Sequence, residues 1–318
     1  MSGEALSQFN YGGQAVIEGV MMRGRKVFAV AVRAPGGQVV VHSEILTNPL
    51  YTARWAQLPL LRGLTLLWDT MGLGVRALTY SANVSVADEA QPVSFQGPAV
   101  WGTLAFSLLA AVGIFFVLPS FAVGLFDAQI GSDVLTNILE GVVRLILLVG
   151  YLVVAGRVPD VARVFQYHGA EHKTINAYEA GAELTPQSVQ RFSLTHPRCG
   201  TGFLLIVVVL SIFAFAWLGR PPLILRLVSR VVLIPVVATF AYELIRFGAA
   251  HYGNPVVRAI LAPSIALQRL TTRQPDDSMV EVSIMALRTV LAAEGLPATP
   301  ALQAAQAAVP AATPVAAS

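Results

Sequence analysis

The residues best suited to chemistry lie in one polar stretch between two apolar ones. His168 and His172 are four positions apart there, with Glu171 just before the second histidine. Residues four apart share a face of a helix, and a residue three positions on lies beside it, so two imidazoles and a carboxylate can meet. The same order occurs in inverted zinc peptidases, where the histidines bind zinc and the glutamate serves as general base.

A second pair of potential ligands, His196 and Cys199, follows on a turn containing Pro197, just before the next apolar stretch. Three of the five histidines and the only cysteine therefore fall within one loop. We predict a divalent metal site, best matched by zinc, with His168 and His172 as ligands. The alternative is a hydrogen-bonded structural cluster without metal.

The third ligand is left open between His196, Cys199 and a carboxylate such as Glu243. Cys199 can equally be a small buried hydrophobe at the entrance of an apolar span. Glu243 can equally form an ion pair with Arg246. Two further cations near the predicted site, Lys173 and Arg198, are candidates for holding an anionic group of a substrate.

The composition predicts a membrane protein. Hydrophobic residues make up 55% of the 318-residue chain, charged residues only 12%, and the mean hydropathy is +0.65. Crossing a bilayer takes about 20 apolar residues in a helix. Four segments are long enough, namely 100–126, 138–156, 203–218 and 223–247. The predicted fold is therefore mainly α, a polytopic helical membrane protein whose first partner is the lipid bilayer.

The loops predict the orientation of the spans. The 127–137 connection has no Lys or Arg, whereas the 157–202 connection contains several. Because basic loops remain in the cytoplasm, the 157–202 loop and both termini are predicted to be cytoplasmic. Basic residues are otherwise scattered, which argues against a nucleic-acid partner.

The segment 58–82 is apolar except for Arg62, Asp69 and Arg76, which are seven residues apart and form one polar stripe on a helix. We favour an interfacial amphipathic helix over a fifth span, because each charged residue deep in lipid costs at least ~2.5 kcal/mol.

The remaining polar residues of the spans are interpreted as structural. Glu140 and Arg144 have the spacing of an ion pair within one helix, and Arg226 and Arg230 can extend their side chains to the nearer membrane surface. Few polar groups are then left at mid-depth, which makes a transporter the weaker alternative.

The chain divides into five regions. An N-terminal cytoplasmic motif spans residues 1–48 and contains a predicted β-hairpin, 27–33 with 38–45. An interfacial or re-entrant helix occupies 49–98, and the four-span domain 99–247. Cytoplasmic helices follow at 248–295, with capping-box spacing between Ser278 and Glu281 and a stop at Gly295. The Ala/Pro-rich tail, 296–318, is predicted to be disordered.

Several motifs together resemble one known family. They are Tyr11-Gly12-Gly13-Gln14-Ala15-Val16-Ile17-Glu18-Gly19-Val20-Met21-Met22-Arg23-Gly24, Arg62-Gly63, Tyr80-Ser81-Ala82, the two loop motifs, Leu270-Thr271-Thr272-Arg273 and Pro275-Asp276-Asp277. This set resembles the YqhQ-like bacterial membrane proteins, a family of unknown function described as candidate metal-dependent enzymes. The resemblance implies a multi-pass protein of the bacterial plasma membrane and adds Glu18 and Gln14 as candidates for catalysis and for support of the site.

The functional hypothesis is a membrane-embedded, metal-dependent enzyme, a hydrolase in which Glu171 activates water. The rival hypothesis is a non-enzymatic membrane partner or assembly factor, whose histidine loop docks another membrane or cytoplasmic protein.

Overall fold

The computed structural model describes residues 11–47, 58–86, 98–219 and 221–296. A four-stranded antiparallel sheet lies at the N-terminus, in the order β1 (Gly12–Val16), β2 (Gly19–Arg23), β3 (Val27–Arg33) and β4 (Val39–Ile45). The predicted hairpin is β3 and β4 and is confirmed. The N-terminal motif adds β1 and β2, which the sequence did not reveal because β2 is apolar from Gly19 to Met22 and lacks strand alternation.

Both faces of this sheet are covered, which explains the uninterrupted apolar run of β2. One face packs against helices α6 (Pro159–Glu179) and α11 (Asp277–Ala293). The other face packs against α1 (Leu61–Ser85). Alternate residues separate the two cores: Val20, Met22, Ala29 and Ala31 belong to the first, and Met21, Phe28, Val30 and Val32 to the second.

The charged stripe of α1 contacts protein along its whole length. Arg62 forms a bidentate ion pair with Glu243 of helix α9 (Leu223–Ala250). Asp69 lies 3.2 Å from Arg23 of β2, and Arg76 pairs with Glu44 of β4. Helix α1 therefore links the sheet to the membrane helices through its charges, and it is not among the helices apolar enough to span a membrane.

Four helical stretches of the described residues are long and apolar enough to cross a membrane, which confirms the predicted number. They are Trp101–Gly124, Asp133–Ala155, Gly200–Leu218 and Ile224–Ala250. The first is composed of α2 (Pro98–Val112), a π-helical turn (Gly113–Val117) and α3 (Leu118–Gly124). After a short α4 (Asp127–Ile130), the second is α5 (Asp133–Ala155), which begins earlier than predicted because Ser132 caps it.

The predicted roles of the charged residues in the membrane helices were wrong. Arg226 and Arg230 are buried against other helices, whereas the prediction had their side chains extended toward the surroundings. Both contact Glu140 of α5, Arg230 at 3.2 Å and Arg226 at 3.5 Å. Arg144 forms no ion pair with Glu140 and bonds instead to neutral groups. Because these residues meet across helices, the bundle holds a polar cluster at depth, contrary to the argument used against a transporter.

The remaining elements complete the face that carries the histidines. Helix α6 starts at Pro159, well before the predicted start near Tyr167, since a proline suits a first turn. A short α7 (Pro186–Val189), then α8 (Gly200–Leu218), α9 and α10 (Pro255–Gln268) follow. Helix α11 is capped by Asp276, which accepts from Met279 N–H, in place of the predicted Ser278. The tail from residue 297 onward lies outside the described residues.

Candidate metal centre

Three predicted ligands converge at the junction of α6 and α8. One ligand atom each from His168, His172 and Cys199 all lie within 4.8 Å of one another. Cys199 Sγ is 3.3 Å from His168 Nε2, and the two imidazole centroids are 4.4 Å apart. Zinc binds nitrogen at about 2.0–2.1 Å and sulfur at about 2.3 Å, so tetrahedral ligand atoms lie roughly 3.3–3.6 Å apart. The observed spacing is compatible with one shared ion after a small adjustment.

Backbone carbonyls orient both imidazoles. His168 Nδ1 lies 2.9 Å from the carbonyl oxygen of Thr271, and His172 Nδ1 lies 2.6 Å from that of Leu194. A carbonyl only accepts, so each Nδ1 carries a proton, and in the neutral form of either ring the lone pair is on Nε2. Metal-binding histidines usually donate their other ring N–H to a carbonyl or carboxylate in this way, which fixes the orientation of the ring.

Cys199 is buried and occupies the N-cap of α8. Its Sγ accepts a hydrogen bond from Thr201 N–H at 3.4 Å. The start of a helix has a partial positive charge, and a thiolate is the form of cysteine that binds metals. The thiol is therefore hydrogen-bonded at the start of α8 as well as buried.

Glu171 lies beside the cluster, between α6 and β1. Its side chain is buried, and its Oε2 is 3.6 Å from His172 Nε2. Glu171 also packs closely against Gly13 of β1. An added Cβ at Gly13 would meet Glu171 Cγ at 2.9 Å and the Met21 carbonyl oxygen at 2.5 Å. The glycine of the N-terminal motif thus leaves room for the carboxylate.

His196 does not join the three convergent ligands, although its ring centre lies 5.9 Å from that of His172. Its Nε2 lies 3.3 Å from Glu179, whose other oxygen binds Arg198. Burial alone would raise the pKa of Glu179, but the hydrogen bond to His196 and the charge of Arg198 outweigh it and hold that pKa below its usual value. The structure thus places His196 and Arg198 in a network that fixes the turn before Cys199.

Lys173 holds the part of the loop that precedes this turn. Its Nζ donates to the carbonyl oxygens of Gln190 and Phe192 at 2.7 and 2.8 Å. Burial lowers the pKa of Lys173. The ammonium group is directed at the backbone of the loop and holds this loop over α6.

The other three predicted residues lie outside the cluster. Glu243 is bound by Arg62, so the structure does not bring it to the histidines. Glu18 occupies a left-handed backbone conformation between β1 and β2, and its carboxylate accepts hydrogen bonds from Arg163 and Tyr167 of α6. Gln14 packs against Gly74 of α1. Glu18 and Gln14 thus anchor the sheet to the two flanking helices.

Sequence reasoning missed Gln268, which is buried at the end of α10. Its side-chain amide forms two hydrogen bonds with the backbone of His196, accepting from N–H at 3.0 Å and donating to the carbonyl at 2.9 Å. Gly169 of α6 packs closely against the backbone of Arg273, because an added Cβ at Gly169 would meet the Arg273 carbonyl oxygen at 2.1 Å. The 270–273 motif adjoins Gln268 and crosses α6 beside His168 and Gly169. This motif was the sequence feature that could have indicated both residues.

A separate apolar groove lies between α1, the β3–β4 hairpin and the start of α2. Its volume is about 1160 Å³, and residues that line it include Trp68, Met71, Tyr80 and Trp101. None of the predicted site residues lines this groove, so it does not provide access to the histidine cluster.

The comparisons with known proteins identify the family. The family described as "Protein of unknown function (DUF1385)" matches residues 58–293, which include the whole cluster. The chain belongs to this DUF1385 family. Consistent with that membership, it is 31% identical over 297 residues to "Uncharacterized protein YqhQ" of Bacillus subtilis (strain 168), covering 90% of this chain and 93% of that protein. The resemblance seen in the motifs is confirmed. No solved structure matches this DUF1385 chain significantly.

Proposed function

We propose that this membrane protein binds one divalent metal ion through His168, His172 and Cys199 and uses it for hydrolysis. The observation that carries the proposal is the convergence of these three ligand atoms within 4.8 Å. The two histidines lie on α6, and Cys199 caps α8, 31 residues after His168. Hydrogen bonds at Nδ1 of His168 and His172 leave Nε2 as the ligand atom of each ring, which is typical of metal-binding histidines.

The donor set fits zinc with an open coordination position. Catalytic zinc sites typically have three protein ligands drawn from His, Cys and carboxylates, whereas structural sites have four. When bound, such an ion acts as a Lewis acid and makes water reactive near neutral pH.

Glu171 is the proposed general base. Its carboxylate is beside His172 and shielded from bulk water, where it can accept a proton from a water molecule at the site and return it to the leaving group. The rigid contact with Gly13 fixes its position. Of the predicted support residues, Lys173 and Arg198 stabilise the loop that carries the cysteine.

We place this site at the cytoplasmic surface of the bacterial plasma membrane, with both termini in the cytoplasm. The end of α5, the start of α8 and the end of α9 share one side because consecutive spans alternate in direction. That side carries the basic 157–202 loop, which the positive-inside bias assigns to the cytoplasm.

Metal analysis of the purified protein tests the proposal. Elemental mass spectrometry should find about one divalent ion per chain. His172→Ala and Cys199→Ser should lower this content at least tenfold, whereas His251→Ala, which changes an exposed histidine, should not. A metal-free wild type, or full metal content in both ligand variants, would refute the site.

The hydrolase role requires a separate comparison. Wild type and Glu171→Gln, matched for metal content, should be assayed against mixed ester, amide and phosphoester substrates. Hydrolysis that is present in wild type and lost in Glu171→Gln supports the assignment. Equal hydrolysis by both proteins would remove Glu171 from the reaction.

The rival function, a docking or assembly factor, rests on the hydrogen-bonded state of the loop. Lys173, His196 and Arg198 are all engaged by other parts of the described chain. Such a protein needs no metal. If His172→Ala and Cys199→Ser contain as little metal as wild type, yet lose the same cross-linked partner in cells, the docking function is favoured.

A further inference from the structure

Two arginines are buried around one aromatic ring inside the membrane bundle. Arg144 lies near the middle of α5, Arg230 lies in the first half of α9, and each is 1% exposed. Their guanidinium carbons lie 5.4 and 4.1 Å from the ring centre of Phe215 in α8. Two positive groups thus share one aromatic ring, away from water.

Their positive charge is only partly balanced. Glu140 contacts Arg230 and is also shared with Arg226. Arg144 bonds to two neutral acceptors, the Phe115 carbonyl oxygen at 2.7 Å and Ser211 Oγ at 2.8 Å. Within the described parts of the chain, no carboxylate forms an ion pair with Arg144. An uncompensated cation in an apolar bundle is strongly unfavourable and points to an additional anion.

The same arginines have unused hydrogen-bond donors. Nη2 of Arg144 and Nε and Nη1 of Arg230 are buried without a hydrogen-bond partner among the described residues. Buried donors are almost always satisfied in folded proteins, by protein groups, water or ligands. Several unsatisfied donors on two adjacent guanidinium groups match the oxygens of one oxyanion better than isolated waters.

The first membrane span is shaped to hold Arg144. In a regular helix, the Phe115 carbonyl would accept from the N–H of residue 119, but Pro119 has none. The Phe115 carbonyl accepts a hydrogen bond from Arg144 Nε. Phe115 lies within the π-helical turn Gly113–Val117, and such turns are frequent at functional sites. The arginine is thus fixed at Nε, and Nη2 is left for another partner.

We propose that Arg144 and Arg230 form an intramembrane binding site for a phosphate group. Guanidinium groups match phosphate oxygens in charge and in paired hydrogen-bond geometry. The phosphate could belong to a free inorganic anion or to a phospholipid headgroup. Arg144 lies at the middle of α5 and Arg230 in the half of α9 remote from the histidine cluster, and the groups that they contact belong to the spans, so the site is separate from the metal centre.

Phosphate titration of the full-length protein in neutral detergent tests the free-anion source. In sodium gluconate at constant ionic strength, added phosphate should raise the thermal unfolding midpoint of wild type in a saturable way. Arg144→Gln should abolish this rise. Arg258→Gln, which changes an exposed arginine outside the bundle core, should retain it.

Native mass spectrometry of the same preparations tests the lipid source. Wild type and Arg258→Gln should retain a bound phospholipid that is at least tenfold less abundant in Arg144→Gln. If Arg144→Gln does not fold, Arg144→Lys replaces it, because lysine retains the charge but lacks the paired donors and should weaken either form of binding about tenfold.

A positive result in either arm supports the site and identifies the source of the phosphate. If wild type shows neither saturable stabilisation by phosphate nor a retained phospholipid, the proposal is overturned. Equal binding by wild type and the Arg144 variant also overturns it.

Discussion

His168 Nε2 lies 3.3 Å from Cys199 Sγ, and this contact joins a helix outside the membrane spans to the N-cap of a membrane helix. Movement of α8 relative to α6 would therefore change the proposed metal site directly. The contact is held from both sides, by the Thr271 carbonyl at His168 and by the Gln268 amide at the turn before Cys199.

Gly13→Ala should destabilise the protein and displace Glu171. The new Cβ would lie 2.9 Å from Glu171 Cγ and 2.5 Å from a backbone oxygen, and overpacking of this kind typically costs about 1–3 kcal/mol. Chemical unfolding of the purified protein measures the change. Gly12→Ala is the matched control, because an added Cβ at Gly12 meets nothing within 4 Å. Equal stability of the two variants would contradict the close contact.

Gln268→Ala should weaken metal binding although Gln268 is not a ligand. The substitution leaves the N–H and carbonyl of His196 without their partners, which costs about 1–3 kcal/mol of stability, and frees the turn that positions Cys199. Loss of an outer-shell group usually lowers metal affinity about 10–100-fold. Competition with a chelator measures the affinity. Gln38→Ala, at an exposed position, should behave as wild type.

Glu243→Gln should leave the metal content unchanged while loosening α1 from α9. The Arg62–Glu243 pair is partly exposed, with side-chain exposures of 28% and 22%, and pairs of this type contribute about 0.2–1 kcal/mol. A double-mutant cycle with Arg62→Ala measures the coupling by chemical unfolding. A large loss of metal in Glu243→Gln alone would restore Glu243 as a ligand candidate.

Acid should weaken the turn that carries Cys199. Glu179 has a lowered pKa in the folded protein, so it contributes stability that is present above the unfolded carboxyl pKa of 4.5. This contribution is lost as the pH falls from 4.5 through the lowered value, because the carboxylate becomes protonated. Unfolding midpoints measured between pH 3 and pH 6 should show a smaller acid dependence for Glu179→Gln than for wild type. The exposed Glu183→Gln variant should retain the wild-type slope.

The sequence by itself determined the features that depend on local physics. The four spans follow from the length and apolarity of continuous segments, and the β3–β4 hairpin follows from alternation around a Pro-Gly-Gly turn. The end of α11 at Gly295, which has a positive φ of 69°, likewise follows from the conformational freedom of glycine.

Tertiary structure decided how the polar residues are used. Local spacing placed His196 and Cys199 together, but only the packing of α8 against α10, with the 268–273 segment across α6, brings Cys199 to the histidines and turns His196 to Glu179. Likewise, Arg230 meets Glu140 across helices. Charges and ligands act over a few ångströms in space, whereas sequence patterns record only neighbours along the chain, so such partners could not be read from spacing.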